Sequence, residues 1–149
     1  MDWVTEQIAI GNVDDAVNTQ QLKREGVSAI LSLYSFPTPM SDQPVVHRQV
    51  LLPDGPGATV ELLHEAVSTL DTLLTEHKVL VHCMEGASRS PFVVACHLAL
   101  REKISLLDAV DVVGKRRRIS ISPYFYILWD EYLVWRNNHK SNGKAFPDN

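Results

Sequence analysis

Apolar residues recur along this chain with two different spacings, and the changes between them predict an alternation of strands and helices. Residues 27–33 and 79–81 are short, mostly apolar runs rich in β-branched side chains, which is typical of buried strands. Residues 59–76 instead place leucine and valine at helical spacing. The same reasoning predicts further strands over 3–11 and 45–52 and further helices over 16–24, 92–100, 105–115 and 123–138. Such alternation favours an α/β fold with a small mixed or parallel central sheet flanked by helices.

Polar residues and glycines mark where these elements begin and end. Asp14 or Asp15 is placed to cap the helix over 16–24, and Gly26 is placed to end it. The polar, proline-rich stretch 37–44 predicts a loop. Neither a repeat nor a linker divides the sequence. We therefore expect one domain over residues 1–149, with its core at about 3–138 and a polar C-terminal tail.

The chain has 149 residues, enough to bury a core, and its composition excludes several classes of partner. The formal net charge is −4, so no general attraction to nucleic acid or to an anionic membrane is expected. No apolar run approaches the roughly 18 residues that a membrane span requires. The first residues lack the basic and apolar regions of a signal peptide. The sequence predicts a soluble cytoplasmic protein, with a monomer favoured.

The cysteines and histidines show no pattern of a disulfide framework or of a metal site. Cys83 and Cys96 are 13 positions apart and form no Cys-x-x-Cys pair, and a free catalytic thiol needs a reducing compartment. Cys96 lies in an apolar helix, where simple packing is the first interpretation and redox pairing with Cys83 is the alternative. The histidines have no paired spacing with one another or with carboxylates. We expect neither a metal nor another cofactor.

The most specific chemical signal lies in residues 79–91. A short apolar strand delivers His82 and Cys83 into a turn that closes on Arg89, where an apolar helix follows. Backbone N–H groups that converge at a helix N-terminus bind anions, and a cysteine placed there has its thiolate stabilised. Gly86 can adopt a positive φ, and the Arg89 guanidinium can hold two phosphate oxygens at once. These features predict a site for phosphate transfer.

Residues 82–90 resemble the signature of the cysteine-dependent protein phosphatases, His-Cys-x5-Arg-Ser/Thr. The fuller form His-Cys-x-x-Gly-x-Ser-Arg-Ser is similar to the dual-specificity branch of that family. Segments before and after this signature are also similar to the corresponding segments of dual-specificity phosphatases. The resemblance therefore covers most of residues 3–136. It implies a small single-domain phosphatase with a protein-tyrosine-phosphatase-like fold, whose phosphate-binding loop is formed by Met84, Glu85, Gly86, Ala87, Ser88 and Arg89.

The resemblance also implies a general acid, an aspartate on a loop that precedes the cysteine. Asp54 is 29 residues before Cys83, follows a predicted strand and lies among glycine and proline residues that form a turn. General acid catalysis of this kind contributes roughly 10²–10⁴-fold. We choose Asp54, with Asp42 as the next candidate. The alternative for Asp54 is that it only starts a turn.

The mechanism that these residues imply has two steps. The Cys83 thiolate attacks phosphorus while Asp54 protonates the leaving oxygen, and Asp54 then activates the water that hydrolyses the cysteinyl-phosphate. Arg89 and the N–H groups of the loop hold the phosphoryl oxygens. Ser90 helps the thiolate to leave. In the resembling family, the position of His82 hydrogen-bonds near the cysteine, so His82 is expected to orient it.

The composition of the loop bears on the substrate. Members of the family that act on inositol lipids tend to have lysines in it, whereas here Glu85 would repel a polyanionic head group. The predicted substrate is therefore phosphotyrosine, with phosphothreonine or phosphoserine, in a protein or peptide. One alternative is a non-protein phosphate on a lipid, a sugar or an RNA 5′ end. The other is a non-catalytic phosphate-binding module, although such relatives usually lack the cysteine, arginine or aspartate.

Residues 115–118 form the only cluster of positive charge. A solvated helix end accounts for it without a function. The resemblance implies an alternative, in which an arginine receives a second phosphate or an acidic flank of the substrate, and Arg117 and Arg118 are the candidates. Tyr124 follows Pro123 where the family usually has asparagine, so the choice between the two arginines stays open.

Overall fold

The protein is described by a computed structural model over residues 1–39 and 44–141. Strands and helices alternate within those residues. They are β1 (Asp2–Trp3), β2 (Ile8–Gly11), α1 (Val13–Val17), α2 (Thr19–Glu25), β3 (Ala29–Ser32), β4 (Val46–Gln49), α3 (Val60–Leu74), β5 (Val79–His82), α4 (Arg89–Glu102), α5 (Leu106–Gly114) and α6 (Tyr124–Ser141). The predicted α/β class, a small mixed sheet flanked by helices, is confirmed.

The five strands form one sheet in the order β1-β2-β5-β3-β4. Only β1 is antiparallel to its neighbour, and the other pairs are parallel. In the middle of the sheet, β5 pairs with β2 on one side and with β3 on the other. Because parallel strands end at the same edge of a sheet, the residues that follow β2, β3 and β5 meet there.

Helices cover both faces of this sheet. One face, which includes Leu31 and Val81, packs against α3, α4, α5 and α6. The opposite face, which includes Ile30 and Leu80, packs against residues of α1 and α2. Burial on both faces explains why β3 and β5 read as nearly continuous apolar runs in the sequence. Residues 90–99 of α4 are all buried, so the start of this helix is held firmly.

The predicted strand over 3–11 is instead a hairpin of β1 and β2. The Thr5 hydroxyl accepts hydrogen bonds from the N–H groups of Gln7 and Ile8, at 3.1 and 3.0 Å, and these bonds turn the chain between the two strands. Side-chain bonds of this kind compete with a continuous strand. The prediction of a single strand was wrong for that reason.

The predicted helix over 16–24 is divided into α1 and α2. Asn12 caps α1, and its side chain and that of Asp15 form a reciprocal capping box. Asn18 ends α1 and also caps α2 by accepting a hydrogen bond from the Gln21 N–H. The N-cap residue is thus Asn12 and not Asp14 or Asp15 as predicted, although the Asp15 side chain takes part in the cap. Gly26 ends α2 as predicted, with a φ of 78°.

Two further observations bear on the sequence predictions. No helix within residues 1–39 and 44–141 is long and apolar enough to cross a membrane. The second candidate acid, Asp42, lies outside the described residues.

Candidate phosphate site

The segment 83–88 (the cysteine loop) connects β5 to α4 at the edge where the parallel strands end. Hydrogen bonds fix its orientation. The carbonyl oxygens of Met84 and Ala87 accept from the N–H groups of Val13 and Ser120, at 3.1 and 2.8 Å. Those of residues 85 and 86 accept from the Arg117 guanidinium. The carbonyls of the loop thus turn outwards, towards the surrounding chain.

The N–H groups of the same loop are left without partners. Among the described residues, no hydrogen bond is donated by a backbone N–H of residues 84–90. Ser88 precedes α4 at the N-cap position, yet its side chain forms no capping bond. Convergent N–H groups at the N-terminus of a helix form a site for an anion. This arrangement is the main chemical property of the loop.

Gly86 allows the loop to adopt this shape. Its φ is +70°, a conformation that L side chains rarely adopt. A Cβ atom here would also lie 2.6 Å from the Gly11 carbonyl oxygen and 2.5 Å from Arg117 Nη2. Both the conformation and the space therefore require glycine at this position.

Cys83 lies at the start of the loop and is 3% exposed. Its Sγ is 3.2 Å from the Oγ of the buried Ser90, in the first turn of α4. This contact agrees with the predicted proximity of the two residues. A hydroxyl at this distance can donate a hydrogen bond to a thiolate.

His82, the last residue of β5, is fully buried, and its Nδ1 is 3.3 Å from the Cys83 carbonyl oxygen. Its Nε2 is 2.6 Å from the Oγ of Ser32. Burial lowers the pKa of His82 to about 4, so the imidazole is neutral near pH 7. A neutral ring suits an orienting role better than proton transfer.

Asp54 borders the same cavity as Cys83 and bonds to the cysteine loop. One of its carboxylate oxygens accepts a 2.7 Å hydrogen bond from the Ser88 hydroxyl. The Ser88 oxygen in turn accepts from the Ser122 N–H at 2.9 Å. Asp54, Cys83 and Arg89 all border one cavity of about 370 Å³. The fold therefore brings the predicted acid, nucleophile and arginine together.

Arg89 is half-buried and lies over the Tyr34 ring, with its Cζ 5.5 Å from the ring centroid. Its Nη1 is 3.5 Å from the Leu52 carbonyl oxygen. The Tyr34 hydroxyl is buried and has no hydrogen-bond partner among the described residues. Burial and then the charge of Cys83 raise the pKa of Tyr34, while Arg89 opposes the shift. Tyr34 thus borders the site on the side of the arginine.

The two candidate substrate-binding arginines occupy different environments. Arg117 donates to the carbonyl oxygens of Gly86 and Glu85, at 2.8 and 3.2 Å, and to an Asp2 carboxylate oxygen at 2.9 Å. Its guanidinium therefore lies on the carbonyl side of the cysteine loop and is occupied by protein acceptors. Arg118 is exposed and forms no hydrogen bond or ion pair with the described residues. A substrate-binding role for either arginine stays a prediction.

We expect Arg117→Met to loosen the cysteine loop, since methionine keeps the length of the side chain but removes its donors. Loss of the charge-assisted hydrogen bonds to the Gly86 and Glu85 carbonyls and to Asp2 should lower the free energy of unfolding by about 2 kcal/mol and kcat roughly 10-fold. Thermal unfolding and steady-state kinetics measure both. Arg118→Met is the matched control and should leave the melting temperature unchanged. Equal effects of the two variants would contradict a bracing role for Arg117.

Several residues beside the site were not identified from the sequence. Tyr34, Ser32 and His47 follow or lie on β3 and β4, which are distant from the loop along the chain. The available signal was Ser32, a polar residue within a buried strand, since such a group needs a hydrogen-bond partner. Among the described residues, no group of three His, Cys, Asp or Glu side chains could hold a metal ion.

Tyr124, which stands where asparagine was expected, bonds to the segment that precedes α3. Its hydroxyl donates to the Ala58 carbonyl oxygen at 3.3 Å, just before α3. The contact to Ser88 from this segment comes instead from the Ser122 backbone. Tyr124 thus bonds to the chain before α3, and Ser122 supplies a backbone donor to the cysteine loop.

Comparison with known proteins agrees with this geometry. Residues 8–132 match the family model of the dual specificity phosphatase catalytic domain. Protein-tyrosine-phosphatase IBR5 of Arabidopsis thaliana is 32% identical over 130 residues, which cover 85% of this chain and 48% of that protein. Human dual specificity protein phosphatase 9 is 30% identical over 129 residues, or 84% of this chain and 33% of that protein. The chain thus spans between a third and a half of these relatives.

Solved structures share the fold. A crystal structure of human DUSP28 is similar with a TM-score of 0.82 and 22% identity, covering 93% of this chain and 99% of that chain. A mouse putative dual specificity phosphatase, crystallised with zinc tungstate, has a TM-score of 0.81 and 22% identity, covering 93% and 89% of the two chains. At this identity the likeness concerns the arrangement of strands and helices.

Proposed function

Because the chain belongs to the dual specificity phosphatase catalytic-domain family, we propose that it hydrolyses phosphotyrosine, and phosphothreonine or phosphoserine with it, in protein substrates. The observation that carries this proposal is the orientation of the cysteine loop. Its carbonyl oxygens accept hydrogen bonds from the surrounding chain, whereas no backbone N–H of residues 84–90 has a partner within residues 1–39 and 44–141. Such a loop is complementary to a tetrahedral dianion.

In the first step, the N–H groups of the loop and the Arg89 guanidinium hold the three non-bridging phosphoryl oxygens. The Cys83 thiolate forms a bond to phosphorus as the bond to the substrate oxygen breaks. Asp54 gives its proton to that leaving oxygen, so an alcohol or phenol departs and a cysteinyl-phosphate remains. The negative charge that develops on the equatorial oxygens meets donors already in place, so little reorganisation is needed.

In the second step, Asp54 acts as a base. It takes a proton from a water molecule whose oxygen bonds to phosphorus, and the bond from phosphorus to sulfur breaks. This regenerates the Cys83 thiolate and releases inorganic phosphate. The Ser90 hydroxyl, 3.2 Å from Sγ, can donate a hydrogen bond to the departing sulfur. The cycle then begins again.

Support for a phosphoprotein substrate comes from the rim of the site. Met84 and Glu85 are exposed there, and residues 84–88 contain no lysine or arginine. An acidic rim disfavours a substrate that carries several phosphates in one head group. A thiolate nucleophile also needs a reducing compartment, so we propose that the protein acts in the cytoplasm.

Turnover on a matched panel tests this function. The panel contains one peptide phosphorylated on tyrosine, threonine or serine, together with an inositol-phosphate lipid, a sugar phosphate and a 5′-phosphorylated RNA, all in EDTA. We expect the phosphopeptides to have the highest kcat/KM. Preference for one of the other three would replace the substrate class but keep the chemistry. A folded protein that turns over none of them would be a phosphate-binding module instead.

Asp54→Asn tests the general acid. The amide cannot donate an acidic proton, so kcat/KM on a phosphoserine peptide should fall roughly 10²-fold. This ratio reports the steps up to departure of the alcohol and not the later step in which Asp54 acts as a base. The loss of kcat/KM should be much smaller on p-nitrophenyl phosphate, because p-nitrophenolate is a good leaving group that departs without a proton. Asp130→Asn, at an exposed position of α6, is the control for loss of one surface charge. Equal losses on both substrates would assign Asp54 a role other than proton donor.

A further inference from the structure

A chain of hydrogen bonds connects the site to β4, the edge strand of the sheet. His82 Nε2 is 2.6 Å from the Ser32 Oγ on β3, and this Oγ is 2.8 Å from Nε2 of His47 on β4. His47 Nδ1 is 3.0 Å from the Thr38 hydroxyl. Ser32 and His82 are both fully buried. Four side chains from three segments of the chain thus form one continuous network.

The number of protons determines the direction of each bond. A neutral imidazole carries one N–H, and only a donor can bond to the Cys83 carbonyl, so the His82 proton is on Nδ1. Its Nε2 must then accept from the Ser32 hydroxyl. Ser32 has no second proton, so its oxygen accepts from Nε2–H of His47. Thr38 in turn donates to His47 Nδ1. Burial, with the charge of Arg48, lowers the pKa of His47, which keeps this ring neutral as well.

Aromatic packing restrains the two rings further. Phe36 lies edge-on against His82, with ring centroids 4.7 Å apart, and against His47 at 6.2 Å. Tyr34 contacts His82 from another side, at 5.6 Å. Neither the tautomer nor the plane of His82 is therefore free to change without disturbing several neighbours.

We propose that Ser32 and His47 are positioning residues for the phosphatase reaction, which fix His82 as a donor to the Cys83 carbonyl and thereby stabilise the Cys83 thiolate. The proposal rests on the proposed function. A hydrogen bond to this carbonyl polarises the peptide between residues 83 and 84, whose N–H belongs to the unpartnered set of the cysteine loop. A more polarised N–H is a better donor to the anionic sulfur and to the phosphoryl group.

The chain contains a matched control for this network. Where β3 and β5 begin, the Oγ of Ser28 is 2.8 Å from Nδ1 of His77. This is also a partly buried bond between serine and histidine, but it lies at the edge of the sheet opposite to the cysteine loop. Ser32→Ala and Ser28→Ala therefore remove the same chemical group, and only the first should affect the site.

The test is alkylation of Cys83 by iodoacetamide as a function of pH, because this neutral reagent reacts with the thiolate and needs no substrate. For Ser32→Ala we expect a rate roughly 3- to 10-fold lower at pH 6, with the rate restored at high pH, which is the scale of one lost hydrogen bond. Ser28→Ala should retain the wild-type profile. Cys96 is fully buried, and burial raises the pKa of its thiol well above the ordinary value, so it should not react.

A second pair of variants keeps the test decisive if Ser32→Ala fails to fold. His47→Leu removes the donor to Ser32 and should shift the alkylation profile in the same direction. His47→Gln places an amide N–H near the position of Nε2 and should restore it. Unchanged profiles in both Ser32→Ala and His47→Leu would overturn the proposal, even if thermal stability falls. Failure of the proposed function would appear differently, as a wild-type protein with a reactive thiolate and no turnover.

Discussion

Cys83→Ser is expected to abolish turnover of every phosphomonoester, by roughly 10⁴-fold or more, while phosphate binding remains. An alcohol is a far weaker nucleophile than a thiolate, and the Ser90 hydroxyl beside it is a hydrogen-bond donor, not a base that could activate it. The N–H groups of the cysteine loop do not depend on the sulfur atom. The variant should therefore bind a phosphopeptide without consuming it.

Calorimetric titration of the Cys83→Ser variant with a phosphopeptide, beside kinetics on the same peptide, measures both parts of this expectation. Cys96→Ser is the matched control. Burial raises the pKa of the Cys96 thiol well above its ordinary value, so it is protonated and unreactive. Loss of activity in the Cys96 variant without loss of folding would contradict the assignment of Cys83 as the single nucleophile.

The sequence was most informative where local pattern and tertiary environment agree. Residues 79–91 combine a buried strand, a glycine with positive φ and the start of a buried helix, and each feature is visible in a few neighbouring residues. The long helices α3 and α6 were also predictable, because apolar spacing over several turns is a strong signal. Their boundaries differ from the prediction by only a few residues.

Short elements were less predictable, because single side chains decide them. Thr5 turns the chain between β1 and β2, and Asn18 divides one expected helix into two. Both residues form hydrogen bonds to nearby backbone groups, and these bonds compete with the backbone hydrogen bonds of a continuous strand or helix. The spacing of apolar residues does not show which of the two is more stable. Residues such as these are visible in the sequence, but the outcome of the competition depends on packing.

The surroundings of the site were the least predictable part. Arg117 contacts Gly86 and Asp2, which are 31 and 115 residues away along the chain. The network through Ser32 and His47 requires the strand order of the sheet, in which β3 lies between β5 and β4. Sequence spacing contains no information about such contacts. Knowledge of the topology converts Ser32, an isolated polar residue in a buried strand, into part of the site.

Arg89→Lys is the second large effect that we expect. Lysine keeps the positive charge but replaces a planar fork of donors by a single flexible ammonium. The guanidinium of Arg89 lies over the Tyr34 ring and its Nη1 is 3.5 Å from the Leu52 carbonyl oxygen, so both contacts restrain it before substrate binds. Two bonds to the phosphoryl group should then become one, at a point where charge develops in the transition state. We expect kcat/KM to fall roughly 10³-fold, on the scale of an arginine that stabilises phosphoryl transfer.

Two measurements test this prediction. The first is kcat/KM on a phosphopeptide, and the second is inhibition by vanadate, a five-coordinate mimic of the transition state, compared with inhibition by inorganic phosphate. If the fork acts mainly in the transition state, vanadate should lose more affinity than inorganic phosphate does. Arg101→Lys, at the exposed far end of α4, makes the same exchange away from the site and should change neither value. A kcat/KM within about fivefold of wild type for Arg89→Lys would mean that charge alone suffices, because the geometry of a bidentate contact accounts for more than that factor.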